Sequence, residues 1–218
     1  MSQIPCPGSP RAFDAWLLVG PTGAGKTPLG NFLERSGWNG RRCLHFDFGA
    51  ELRKADAGAE NVPGLSGEDR NVIRQVLRDG ALFEDRHSSL VRKIFDDFLR
   101  RRGAQALDLL LLNGWPRHLG QARDLETFAV VRRIVLLNAP AETIRERIRT
   151  DAAGDRSVRE DDSPDEVEIK FTLYEERTRP LVGYYAAKGI PVTTLEVAAE
   201  TSAADLHRDL LQRLDGRG

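Results

Sequence analysis

The sequence predicts an α/β domain built on a doubly wound parallel sheet of five strands, with helices on both faces. Three observations predict it. Short apolar runs of strand length recur five times in the 218 residues. They are continuous rather than alternating, as in strands buried on both faces, and the stretches between them carry helical periodicity. The first run ends in a glycine-rich turn that leads straight into a helical pattern.

In chain order, residues 1–13 form a leader rich in Pro, Gly and Ser, with no apolar core and no basic start, so no secretory signal is expected. Residues 14–218 read as one domain, large enough to bury a substantial core. Its first strand is AWLLV, 15–19, and RCLHF, 42–46, is the second. Residues 49–65 are polar and punctuated by glycine, so 48–85 reads as a small helical insertion on the sheet's upper edge. Within it Ser66 and Asp69 form a capping box and Gly80 stops the helix. LDLLLL, 107–112, is the third strand and runs into Asn113, followed by Gly-Trp-Pro-Arg. RRIVLL, 132–137, is the fourth; the stretch from about 150 to 163 leaves room for only a short lid. IPVTTLEV, 190–197, is the fifth, and Ser202 with Asp205 caps the last helix.

Composition excludes several classes. The net charge of -1 gives no global basic field, so no nucleic-acid partner is expected. No apolar run approaches the roughly 18 residues of a membrane span. Cys6 and Cys43 supply neither a disulfide framework nor a paired zinc motif, which suits a reducing cytoplasm. A soluble, cytoplasmic monomer is expected. The histidines need no special role; His118, beside a helix start, reads as exposed and structural.

The turn after the first strand is G-P-T-G-A-G-K-T, Gly20 to Thr27, which fits G-x-x-x-x-G-K-[ST] in the strand-loop-helix context that this P-loop motif requires. Backbone N–H groups of such a loop cradle anionic oxygens at a helix N-terminus. ATP is therefore expected on Gly20, Thr22, Gly23, Ala24, Gly25, Lys26 and Thr27, with Lys26 on the β and γ phosphates and the Thr27 hydroxyl on Mg2+. Pro28 removes one N–H that in many P-loops faces the α-phosphate, so moderate nucleotide affinity is expected.

A P-loop names a nucleotide and not a reaction. GWPRHLGQ, 114–121, resembles the G-[FY]-P-R-x-x-x-Q signature of adenylate kinases and related nucleoside monophosphate kinases. FGAELR, GALFE and KFTLYEERTRPLVGYYAAKGI are similar to further segments of that family, in its order. The resemblance implies a P-loop NTPase-type fold and γ-phosphoryl transfer from ATP, with Mg2+, to a nucleoside monophosphate, AMP foremost. It implies that Arg117 grips the acceptor phosphate, that Arg53 assists, and that Gln121 reads the acceptor base. Joining two polyanions needs converging cations, and Lys26, Arg117, Arg156, Arg159 and Lys170 are the catalytic set so implied. Trp115 reads as packing rather than as a stacking platform.

The chain departs from the family pattern at particular residues. Asp151 falls where an R-x-x-x-R pairing from Arg147 would put an arginine, Lys170 replaces an arginine, and Phe48 replaces a threonine beside the acceptor base. Asn113 stands where the family has an aspartate that orients magnesium. Asp47 ends the neighbouring strand, so the charge has two readings: it has moved to Asp47, which with Thr27 forms the metal side, or Asp47 only caps the following turn. Two other functions stay open beside nucleoside monophosphate kinase: a P-loop kinase of another small acceptor, and a nucleotide-binding protein that has lost turnover.

Overall fold

The computed structural model describes residues 13–58, 62–151 and 164–215. Strands β1 (Phe13–Val19), β2 (Cys43–Asp47), β3 (Leu109–Asn113), β4 (Ala129–Asn138) and β5 (Val192–Glu196) form one sheet in the order β2-β3-β1-β4-β5. Every pairing is parallel. Between the strands run α1 (Lys26–Ser36), α2 (Phe48–Asp56), α3 (Gly67–Asp79), α4 (Ser88–Arg101), α5 (Leu119–Leu125), α6 (Ala141–Arg149), α7 (Pro164–Leu173), α8 (Pro180–Ala187) and α9 (Ala203–Asp215).

The strand boundaries differ from the sequence expectation for physical reasons. β1 begins at Phe13, whose N–H donates to the Phe128 carbonyl at 3.3 Å. β4 begins at Ala129, three residues before the apolar run at 132–137, because Ala129 and Val131 are buried while Val130 and Arg132 are exposed. An alternating start cannot be read as a continuous run. β3 begins only at Leu109, after an exposed Leu107.

Successive residues of the central strands feed two cores. Leu109 and Leu111 of β3 join Trp16 and Leu18 of β1 under α1, α6 and α9. Leu110 and Leu112 join Ala15, Leu17 and Val19 under α4, α5 and α8, and this core continues into α2 and α3. Both helix caps expected from the sequence form: Ser66 and Asp69 exchange side-chain and backbone hydrogen bonds at the start of α3, and Ser202 with Asp205 does the same before α9. Gly80 ends α3 in a left-handed conformation, φ 60°.

Two contacts fix the elements nearest the phosphate loop. His45 on β2 is buried, and its Nδ1 lies 2.9 Å from Asn31 Oδ1 on α1. An amide oxygen only accepts, so Nδ1 carries the proton. The ring then lies against Gly30, where an added Cβ would meet Nε2 at 2.3 Å. On the other face, α2 is held to α4 through charge. Arg101 bonds both Glu51 and Asp97, and Arg100 bonds Asp97 at 2.6 Å. Burial pushes the Asp97 carboxyl up, but Arg101 and Arg100 outweigh it and hold it below the usual carboxylate range.

Gly30→Ala should destabilise the fold by about 1–3 kcal/mol in urea unfolding, although alanine is the better helix former, because the new methyl would displace a buried ring from its bond to Asn31. In a His45→Ala background most of that loss should vanish; an equal loss there would show that the contact is not the cause.

Candidate active site

The phosphate loop leaves β1 at the C-terminal edge of the sheet, beside β3, where successive connections run in opposite directions; open α/β sheets bind ligands at this switch point. A Cβ on Gly20 would sit 2.6 Å from the Leu137 carbonyl oxygen, so only glycine allows the chain this close to β4. Gly25 caps α1 with φ 96°, which turns the loop into the helix axis. The first turn of α1 contains no acidic residue, so its positive end stays available to an anion. Lys26 curls over the loop and donates to the carbonyls of Gly20 and Pro21 at 2.7 and 2.6 Å. Pro28 lies in the same first turn, where a missing N–H breaks no intrahelical bond.

Arg147 fixes the loop from behind. It is buried, its Nε donates to the Gly23 carbonyl at 3.0 Å, and its Nη1 reaches the carbonyls of Ala198, Ala199 and Thr201 at 2.8, 2.9 and 3.0 Å. The sequence offered Arg147 only as the start of an R-x-x-x-R pairing. Nothing in an amphipathic helix end distinguishes a buried arginine from a solvated one.

On the other side of the loop three side chains meet. Asp47 and Asn113 are register partners on β2 and β3. Thr27 Oγ1 donates to Asp47 Oδ2 at 2.5 Å, and Asn113 Nδ2 donates to Thr27 Oγ1 at 3.0 Å and to Asp47 Oδ2 at 2.9 Å. Asp47 Oδ1 accepts from the Ala50 backbone N–H at 3.0 Å and caps α2. Asp47 therefore does cap the following turn, through one oxygen, while its other oxygen meets Thr27 and Asn113. The neutral amide at 113 also finds its reason. A carboxylate there would face a carboxylate at hydrogen-bond distance, whereas the amide supplies a donor.

The far end of the cleft is lined by Phe48, Arg53, Arg117, Gln121, Lys170 and Thr178. Arg117 is half-buried, and burial brings its guanidinium down to about 10, which leaves it charged at neutral pH. No carboxylate pairs with it among the described residues. Its Nε donates to Thr178 Oγ1 at 3.3 Å, and its backbone N–H donates to Gln121 Oε1 at 2.7 Å. Gln121 is buried, and its Nε2 donates to the Phe83 carbonyl at 2.8 Å. His118 is buried rather than exposed, a correction to the sequence reading: its Nε2 lies 2.8 Å from the same carbonyl and so carries the proton. It braces the 80–84 segment from beneath. Phe48 packs on Phe83 with ring centroids 5.5 Å apart, and Trp115 packs among Phe46, Phe95 and Phe128 as the sequence suggested. Arg53 is exposed at the cleft and Lys170 is half-buried.

Arg156 and Arg159, with the short lid that would carry them, lie outside the described residues. Among the described residues no cluster of three or more His, Cys, Asp or Glu side chains could hold a metal by itself. A hydroxyl and a carboxylate oxygen 2.5 Å apart, at Thr27 and Asp47, do suit a hard cation that keeps waters and leans on a substrate phosphate. Thr178 was missed as a site residue, although Pro180 two positions on was a visible signal of irregular helix there.

A phosphate loop at the switch point of a five-stranded parallel sheet defines the P-loop NTPase class of α/β fold. No family model matches the chain. An adenylate kinase of Thermus thermophilus is 30% identical over 184 residues, 81% of this chain and 85% of the relative. That of Nitrobacter winogradskyi is 28% identical over 217 residues, 93% of each chain. Among solved structures, shikimate kinase from Acinetobacter baumannii in complex with shikimate shares the fold, with a TM-score of 0.51 at 20% identity over 95% of this chain and 96% of that one. The chain belongs to the adenylate kinase family.

Asn113→Asp should lower stability at pH 7, without added metal, by about 1–3 kcal/mol, since two donated hydrogen bonds become a like-charge contact. In that variant the shared proton is bound more tightly in the folded state than in the unfolded chain. The deficit should therefore shrink as the pH falls through the raised carboxyl value, and a deficit independent of pH would contradict the assignment.

Proposed function

We propose that the protein transfers the γ-phosphoryl group of ATP to a nucleoside monophosphate, with AMP as the foremost acceptor. The single observation that carries this is Arg117, a charged, half-buried guanidinium without a carboxylate partner among the described residues, in the same cleft as the phosphate loop. Holding a desolvated cation unpaired is unfavourable unless an anion completes it, and a phosphate matches its fork. The family supports the same acceptor, since the relatives are named adenylate kinases.

In this reading an oxygen of the acceptor phosphate attacks the γ-phosphorus of ATP, and the bond to the β–γ bridging oxygen breaks, leaving ADP and a nucleoside diphosphate. Lys26 swings from the Gly20 and Pro21 carbonyls to the β and γ oxygens. Arg117, with Arg53, grips the acceptor phosphate. Lys170, Arg156 and Arg159 add positive charge around the transferring group. No side-chain base is needed, because orientation and charge stabilisation carry phosphoryl transfer. Thr27 and Asp47 would hold Mg2+, with Asn113 steadying both, and when bound it would supply neutralisation of phosphate charge.

ADP release measured with ATP, Mg2+ and each common nucleoside monophosphate should be stimulated most by AMP, and Lys26→Ala should lower kcat by about 100-fold or more in a folded protein. ATP binding without transfer to any nucleoside monophosphate would overturn the proposal.

Asp47→Asn should need about 10–100-fold more Mg2+ for half-maximal rate, and Asn113→Asp in that background should recover part of the loss. Rates against Mg2+ concentration for wild type, both single variants and the double variant test this; an indifferent Asp47→Asn would remove Asp47 from the metal side.

A further inference from the structure

The helix that leads toward the carboxyl terminus is interrupted where it passes Arg117. Between α7 and α8, Tyr174–Thr178 forms a π-helical turn, closed by a bond from the Arg179 N–H to the Tyr174 carbonyl at 2.8 Å. Pro180 opens α8 and has no N–H to give to the preceding turn, so the wider ring is accommodated at little loss. Thr178, the last residue of the π-turn, is buried and lines the cleft.

Its hydroxyl makes two contacts, both to one residue. The Oγ1–H donates to the Arg117 carbonyl at 3.0 Å, because a carbonyl can only accept. The lone pairs of Oγ1 then face the Arg117 Nε–H at 3.3 Å. The long Nε distance makes the carbonyl bond the one that sets the hydroxyl, and the guanidinium follows it. Gln121 holds the Arg117 N–H from the other direction at 2.7 Å. Arg117 is thus pinned at its backbone N–H, its carbonyl and its Nε. Among the described residues nothing bonds the Nη1/Nη2 fork.

We propose that Thr178 is the positioning residue of the anion-binding arginine: it fixes the Arg117 guanidinium so that the Nη1/Nη2 fork, and not the Nε edge, is presented to a dianionic phosphate. The proposal rests on the acceptor reading of Arg117 for its kinetic consequence, but the hydrogen bond itself can be read without turnover. The hydroxyl is the group that makes both contacts. Valine keeps the shape and loses the bond, whereas serine keeps the bond and loses a methyl group.

The test uses the full chain as wild type, Thr178→Val, Thr178→Ser and Arg117→Ala. First, the Arg117 Nε–H resonance, assigned by its absence in Arg117→Ala, is followed for exchange with water. It should be protected in wild type and Thr178→Ser and exchange about 10-fold faster or more in Thr178→Val. Second, Thr178→Val should raise the acceptor KM about 10-fold with the ATP KM and the Tm nearly unchanged, and Thr178→Ser should restore most of it. Equal protection in wild type, Thr178→Val and Thr178→Ser overturns the proposal whatever the kinetics. A wild-type acceptor KM in Arg117→Ala removes the acceptor reading instead, while the exchange data still decide whether Thr178 holds the guanidinium.

Discussion

The contact on which the site depends is the three-way hydrogen bond among Thr27, Asp47 and Asn113. It joins the loop after β1 to the ends of β2 and β3, residues separated by up to 86 positions in sequence. The sheet order makes it possible. Because β3 lies between β2 and β1, Asn113 stands between the carboxylate and the hydroxyl and can donate to both. Without β3 between them, no side chain at position 113 could bridge Asp47 and the phosphate loop. The choice of amide over acid follows from the same geometry, since the only group that satisfies an oxygen on each side is one with two hydrogens. Asp47 meanwhile starts α2, so the element that carries Arg53 takes its direction from the same carboxylate.

The Arg117 side of the cleft is built on another principle. There the polar side chains are fixed chiefly by backbone groups, with one side-chain contact, Arg117 Nε to Thr178 Oγ1. The Phe83 carbonyl collects hydrogen bonds from Gln121 and His118, and Gln121 passes the restraint on to the Arg117 backbone. An aromatic core of Phe46, Phe95, Trp115 and Phe128 lies beneath and gives this network a stiff floor. Arg117 is consequently rigid in its backbone and charged at its tip. Such preorganisation matters most in a reaction whose barrier is lowered by position and charge rather than by covalent chemistry.

How much of this was legible depended on whether a residue's signal is local. The phosphate loop was readable because its glycines, lysine and threonine lie within eight positions of one another and its context is one strand and one helix. The five strands were readable as apolar runs, except at β4, where Val130 and Arg132 face outward and hide the start. The meeting of Asp47 with Asn113 could be anticipated only by supposing that their strands were neighbours. Three residues defeated local reading. His118 looks exposed beside a helix start, yet the 80–84 segment, far away in sequence, covers it. Arg147 looks like one of many surface arginines until four carbonyls surround it. Thr178 is an ordinary helix residue until the turn around it widens. In each case the partner is backbone from a distant segment, and backbone carbonyls leave no mark in a sequence.

The π-turn also acts as a phase setter along the chain. An α-helix advances about 100° per residue, so one residue more or fewer between α7 and α8 rotates everything upstream by that angle relative to everything downstream. Lys170 and Tyr174 face the cleft upstream, while Leu181 and Tyr185 sit in the core downstream. With the extra residue of the π-turn both faces are satisfied at once. A homologous chain that dropped one residue from 174–178 would face a choice: keep α8 seated and turn Lys170 toward solvent, or keep the cation inward and lift Tyr185 out of its packing. The length of this segment is therefore a constraint in its own right, separate from the hydroxyl that Thr178 supplies.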